Sequence, residues 1–135
     1  MQEELKKRGA LRSVLYLGAA YYIIGAVAHW FGLTLFPWFD GALYAPYQDS
    51  VIALVAVILA YFLIVIARDP VKNKDMLKAV IVSATAASIF SFWIVFKIDF
   101  AALGAFEKST QTIVEGILGF LWVGVLLWLY PREEN

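Results

Sequence analysis

Four side chains in this sequence could carry acid–base or ligand-binding chemistry inside an otherwise apolar chain. His29 is the single histidine among 135 residues, and Asp49 and Glu115 are carboxylates at the edges of long apolar runs. Tyr22 precedes His29 by seven residues, so both would share one face of a helix. Ionisable groups at membrane depth are rare and often functional. We therefore expect a polar cavity on one side of the molecule.

The stretch from His29 to Ser50 adds two further candidates, Tyr47 and Gln48, which complete the predicted ligand-binding set. No catalytic residue, metal site or cofactor is predicted. Cysteine is absent, which excludes thiolate metal sites and thiol redox chemistry. One histidine without a second imidazole at ligand spacing does not indicate a metal centre.

Each ionisable candidate also has a structural interpretation, which we prefer. Asp49 or Ser50 is placed to cap the second helix. Thr112 and Glu115 match the capping-box pattern, in which Glu115 bonds the start of its own helix. His29 near an interface is more often a hydrogen-bonded structural residue. The functional alternative stays open for all three ionisable groups.

Composition places these residues in a membrane protein. The chain is 62% hydrophobic and 16% charged, with a mean hydropathy of +0.75, whereas soluble domains are about 45–50% apolar. A run of ~20 apolar residues crosses a bilayer core. We predict an all-α, single-domain bundle of four transmembrane helices, with an aromatic-rich outer segment between helices 1 and 2. The runs cover residues 11–36, 50–67, 76–96 and 113–130.

Basic residues alternate along the chain in a way that predicts orientation. Nine of the 11 Lys and Arg residues fall at or before the start of the first run, between or beside the facing ends of the second and third, or after the fourth. Only Lys97 and Lys108 fall on the other side. Such a bias indicates cytoplasmic N- and C-termini in a multi-pass protein of the cell (inner) membrane. The first run resembles a signal peptide, but it continues past Ala28 through Leu33, so we expect it to be retained. A net charge of zero suggests no nucleic-acid partner.

Small residues recur on three of the predicted helices, and on the fourth run they are Gly116, Gly119 and Gly124. Gly18, Gly25 and Gly32 repeat every seven residues in the first run, and serines and alanines line the third. Small residues allow membrane helices to approach closely. Tight packing is the default interpretation, within the bundle or in a homo-oligomer. The alternative is that Tyr22 and His29 line an internal cleft.

The layout resembles small four-helix DoxX-like and BphX-like membrane proteins of prokaryotes. The shared traits are the long aromatic outer segment with proline and an apolar helix that closes on ARDPVKN at residues 67–73. The similarity covers roughly residues 11–96 and implies a fold more than an activity, so no catalytic residue is transferred. Small multidrug transporters are similar in helix count, but their essential acid in helix one has no counterpart here.

Three functions are compatible with these patterns. The first is a non-enzymatic membrane module that oligomerises or supports a larger assembly and binds lipid in an outer groove. The second is a small proton-linked carrier that uses an outer cavity lined by His29, Asp49 and Glu115. The third is a membrane redox subunit or enzyme for a lipophilic substrate, and we favour a non-enzymatic role over it.

Overall fold

Four α-helices make up most of the chain that the computed structural model describes, residues 2–34 and 43–131. In chain order these are α1 (Gln2–Phe31), α2 (Pro46–Arg68), α3 (Lys74–Lys97) and α4 (Phe106–Trp128). Each is long and apolar enough to cross a membrane. The prediction of an all-α chain with four potential spans is confirmed. Backbone groups in lipid must bond within their own segment, so a membrane span is expected to be helical even with many β-branched residues.

The first helix begins earlier and ends earlier than predicted. It starts at Gln2 instead of after the polar lead, whose Lys7–Glu3 ion pair of 3.1 Å supports its first turns. Its 30 residues span about 45 Å, more than a bilayer core. The helix stops at Phe31, not at Phe36. Gly32 has φ +62°, and Leu33 N–H donates to Ala28 C=O at 2.9 Å. This Schellman motif ends the helix, and residues 35–42, including Pro37, lie outside the described part.

The second and fourth helices also begin before the predicted positions. α2 starts at Pro46, whose fixed φ suits the first turn, so neither Asp49 nor Ser50 is its N-cap; that position is Ala45. α4 starts at Phe106, seven residues before the predicted start at residue 113. Its first two turns are polar, which is why hydropathy alone assigned them to the preceding loop.

The helices form two hairpins that run side by side. Arg12 donates to the Arg68 carbonyl at 2.6 Å, and the Tyr130 hydroxyl donates to the Lys74 carbonyl at 3.5 Å. We call this end, with the first turns of α1, residues 69–73 and residues 129–131, the basic end. The opposite end holds the α1–α2 and α3–α4 connections, and we call it the aromatic end. Exposed aromatic side chains mark it: Trp30, Phe31, Tyr47, Trp93, Phe96 and Phe106.

Packing differs between the two halves of the bundle. The half nearer the basic end has a core cluster to which all four helices contribute. Its fully buried large side chains are Leu11, Leu15, Leu63, Ile66, Leu77 and Leu126. Towards the aromatic end, the buried cluster comes from α1 and α2 alone, through Ala26, Ala53 and Ala56. The two hairpins therefore meet near the basic end and leave space between them near the aromatic end.

Small residues on α3 and α4 explain how the second hairpin closes. A Cβ added at Gly119 would overlap the Ser88 hydroxyl, and one added at Gly116 would lie 3.0 Å from the Phe92 ring. Ser88 donates to the Ala84 carbonyl at 2.9 Å, so its hydroxyl is satisfied within α3. The glycines thus permit the close approach of α3 and α4.

Candidate functional site

His29 and Asp49 form a direct pair between α1 and α2. The Nδ1 atom of His29 lies 2.5 Å from Oδ1 of Asp49, a position from which Nδ1–H donates to the carboxylate. The second oxygen, Oδ2, accepts the Ala45 N–H at 2.7 Å. Asp49 is buried. Asp49 is therefore not the predicted N-cap, but its carboxylate accepts the N–H of the residue that is, and it also holds the ring of His29.

The capping explanation for Glu115 is wrong. Because α4 begins at Phe106, Glu115 lies about 13 Å along the helix from its start. Thr112, its supposed capping partner, instead donates to the Lys108 carbonyl at 2.8 Å inside the helix. Gln111, one turn earlier, donates to Glu115 Oε1 at 3.2 Å. Glu115 is thus a half-buried carboxyl group well inside a potential membrane span.

A cavity of about 540 Å³ lies between the first hairpin and α4, where the hairpins diverge. Its walls are largely aliphatic, with side chains such as Ile24, Val55 and Leu59. On α1 the lining extends from Leu17 to His29, about 18 Å of helix axis. The volume lies within the ~300–1,000 Å³ typical of sites for small molecules. We call it the outer-half cavity.

The polar groups of this cavity lie at two levels. Glu115, Tyr21 and Tyr22 line its deeper part, and His29 lines the part nearest the aromatic end. The rings of Tyr21 and Tyr22 pack edge to face with centroids 5.7 Å apart. Glu115 and Tyr21 are close enough to interact electrostatically. An apolar space with a few convergent polar groups is the usual form of a ligand site.

The structure brings together part of the predicted site set and leaves part outside it. Tyr22, His29 and Glu115 line the outer-half cavity, and Asp49 supports His29 from behind. Tyr47 is 79% exposed, and Gln48 is exposed beside it on the first turn of α2; neither lines the cavity. Sequence reasoning missed Tyr21. Whether Tyr21 lines the cavity depends on the rotation of α1 about its own axis relative to α4. The periodicity of the sequence alone does not determine this rotation.

Tyr22 also separates the outer-half cavity from a second space. A cavity of about 350 Å³ lies between α2 and α3, and both cavities share Tyr22 and Leu59 as lining residues. Ile66 and Met76 border the second cavity on the side of the basic end. We call the two spaces together the cleft, and Tyr22 and Leu59 lie between them.

The chemistry available in this cleft is proton transfer and polar recognition. A carboxylate that holds one imidazole nitrogen sets which nitrogen carries the proton and orients the ring. Glu115 supplies a second group able to hold or release a proton. Within residues 2–34 and 43–131, no cluster of three His, Asp or Glu side chains is placed to hold a metal ion.

No protein-family model, curated protein or solved structure matches this chain. The resemblance to DoxX-like and BphX-like proteins therefore stays a prediction.

Proposed function

We propose that this protein is a small, non-enzymatic membrane module that binds a lipid-like molecule in the outer-half cavity. The single observation that supports the proposal is the cavity itself. It is large, aliphatic over most of its wall, and contacted by His29 and Glu115. Such a wall suits an apolar body, and the polar groups suit a polar head.

Photo-crosslinking in vesicles tests this function. A phospholipid with a diazirine in its acyl chain is the probe, and labelled peptides are mapped by mass spectrometry. We expect labelling of cavity-lining segments of α1 and α2. Gly25→Leu should reduce it severalfold, because Gly25 lines the cavity and an added Cβ there meets nothing within 4 Å.

Gly124→Leu is the matched control for this experiment. Gly124 also has open space around an added Cβ, but it lies on α4 outside the cavity wall. Its labelling pattern should equal that of the unmodified protein. Labelling spread evenly over all lipid-facing helix surfaces, unchanged by Gly25→Leu, would contradict the proposed function.

The distribution of basic residues supports an orientation for this module. In the sequence, nine Lys and Arg residues lie in or beside the N-terminal segment, the α2–α3 connection and the C-terminal segment, and two lie beside the α3–α4 connection. We therefore propose that both termini face the cytoplasm of an inner-membrane protein. The outer-half cavity then opens in the leaflet away from the cytoplasm. Thiol labelling of Lys72→Cys and Lys108→Cys in intact cells tests this, since only the second should react with an impermeant reagent.

Association with further helices is the second part of the proposed module. The exposed surface of α3 carries small residues, among them Ser83, Ala86 and Ala87, and such surfaces suit helix contact in lipid. We expect Ala86→Cys to form a cross-linked dimer in membranes if the partner is a second copy. If Ala86→Cys forms no cross-link to any protein, neither a homo-oligomer nor a complex with other membrane proteins would be supported.

A proton-linked carrier is the second candidate function. It is favoured by the position of Glu115, a carboxyl group in the middle third of α4 that does not cap its helix. Intramembrane carboxyl groups often belong to proton pathways. In proteoliposomes, His29→Ala, Asp49→Asn and Glu115→Gln should each reduce proton-coupled flux. Flux unaltered by all three substitutions would eliminate this candidate.

A further inference from the structure

We propose that the ligand of the outer-half cavity is a hydrophobic cation, such as a lipophilic amine or quaternary ammonium compound, with the Glu115 carboxylate as its counter-ion. This inference rests on the proposed function, because it names the chemical class of the molecule that the cavity binds. Three features of the cavity lead to it: the sign of its charges, its aromatic rings and the depth of Glu115.

The charges around the cavity are predominantly acidic. Among the described residues that line it, Glu115 is a carboxylic acid and none is Lys or Arg. The imidazole of His29 is bonded to a second acid, Asp49. Lys108 is the basic residue whose field reaches both carboxylates. It lies seven residues before Glu115 on α4, which is about 10 Å along the helix axis.

The depth of Glu115 makes a cationic ligand favourable. A carboxylate surrounded by aliphatic side chains and lipid is costly unless a cation or several donors accompany it. Gln111 supplies one neutral donor at 3.2 Å. A bound cation supplies the missing charge. A neutral or anionic ligand leaves the carboxyl group to be protonated instead.

Two aromatic rings lie beside this carboxyl group. Tyr21 and Tyr22 line the cavity together with Glu115, and their rings pack edge to face with centroids 5.7 Å apart. Aromatic faces attract ammonium groups, more strongly when water is excluded. Glu115 on α4 and the two tyrosines on α1 therefore favour positive charge in the cavity, while the aliphatic side chains around them favour an apolar body.

Paired hydrophobic ions of nearly equal size and opposite charge test the inference. Tetraphenylphosphonium and tetraphenylborate are bound to the detergent-solubilised full-length chain by equilibrium dialysis. Cavity binding is the binding to the unmodified protein minus the binding to Gly25→Leu. This subtraction corrects for nonspecific uptake by the micelle. We expect the cation to bind at least about tenfold tighter than the anion.

Substitutions of two acidic residues on α4 distinguish the effect of the Glu115 charge on cation affinity from the effect of the protein's net charge. Glu115→Gln should lower the affinity for the cation at least about tenfold, and Glu115→Asp should keep most of the preference. Glu107→Gln makes the same change of charge at an exposed position in the first turn of α4, and it should have little effect. Equal affinity for both ions, or a cation affinity unchanged by Glu115→Gln, would overturn the inference.

The pH dependence provides a second readout. A cation competes with a proton for Glu115, so its affinity should rise with pH and binding should release a proton. The other titratable groups around Glu115 are Lys108 on α4, Tyr21, Tyr22 and His29 on α1, and Asp49 on α2 behind His29. The dependence should disappear in Glu115→Gln. A dependence that survives there but disappears in His29→Ala overturns the assignment to Glu115.

The outcomes separate this inference from the proposed function. If Gly25→Leu abolishes binding of the cation and of the anion to the same extent, the cavity binds lipophilic molecules regardless of their charge. The proposed function then stands and the inference fails. If Gly25→Leu removes no binding of either ion and no phospholipid labelling, the proposed function itself fails, and the inference with it.

Discussion

The two halves of this bundle are packed in different ways. Near the basic end, leucines and isoleucines from all four helices interlock, and several have no exposed surface. Near the aromatic end, the buried cluster consists of alanines from one hairpin, beside a cavity of about 540 Å³. Helix association in lipid depends on packing and hydrogen bonds, because lipid tails are as apolar as leucine. The packed half can therefore hold the hairpins together while the open half remains available to a ligand.

Removal of packing from the closed half should have the largest effect. Leu126→Ala leaves a void where the side chain is 0% exposed. We expect a loss of about 2 kcal/mol in the free energy of unfolding, near the low end for soluble cores, because the transfer term largely cancels in lipid. Tryptophan fluorescence during denaturation in mixed micelles measures this loss.

The neighbouring residue and the open half supply the controls for that prediction. Leu127→Ala truncates a side chain that is 57% exposed at the same depth, and Val55→Ala truncates one at the cavity wall. Each should cost less than about 0.5 kcal/mol. If Val55→Ala costs as much as Leu126→Ala, the two halves do not differ in the way described.

The polar pair at the aromatic end should have the next largest effect. Asp49→Ala removes the acceptor of the Ala45 N–H and the partner of His29. We expect a loss of about 1–2 kcal/mol, and about half of it for Asp49→Asn, whose amide oxygen still accepts one bond. Thermal unfolding in detergent measures it.

This destabilisation should be local. Hydrogen exchange should accelerate in the first turn of α2 and leave the core stretch of α1 around Leu15 protected. Ser50→Ala is the comparison, because its hydroxyl is exposed and bonds only the Pro46 carbonyl at 2.7 Å among the contacts described. Equal effects of Asp49→Ala and Ser50→Ala would mean that the pair with His29 does not tie α1 to α2.

The sequence predicted the four helices because hydropathy over about 20 residues is a strong signal. It misplaced the helix ends, where competing local signals decide. Gly32 ends α1 through its left-handed conformation, yet its seven-residue spacing from Gly25 suggested a packing role. The residues before Thr112 are mostly polar, so hydropathy did not identify them as the first two turns of α4. That error produced a false capping box and an incorrect explanation of Glu115.

The candidate site could be predicted only in part, for a related reason. Tyr22 and His29 share a helix face, and periodicity is enough to say so. The pairing of His29 with Asp49 depends on where α2 begins, and the approach of Glu115 depends on how far the hairpins diverge. One sequence does not reveal which of these faces meet.

Two glycines on α1 provide the finest test of the difference between the halves, because the sequence treats them as equivalent. An added Cβ at Gly18 would lie 2.9 Å from Cζ2 of Trp122 and 3.1 Å from Cδ1 of Leu63, whereas one at Gly25 meets nothing within 4 Å. Gly18→Ala should cost about 1 kcal/mol through overpacking. Gly25→Ala should stabilise by about 0.5–1 kcal/mol, because alanine loses less backbone entropy in a helix. Trp122→Phe should relieve Gly18→Ala in a double-mutant cycle and leave Gly25→Ala unchanged. Stabilisation by both substitutions would mean that the hairpins do not touch at Gly18, and destabilisation by both would mean that the outer-half cavity is filled by the chain's own side chains.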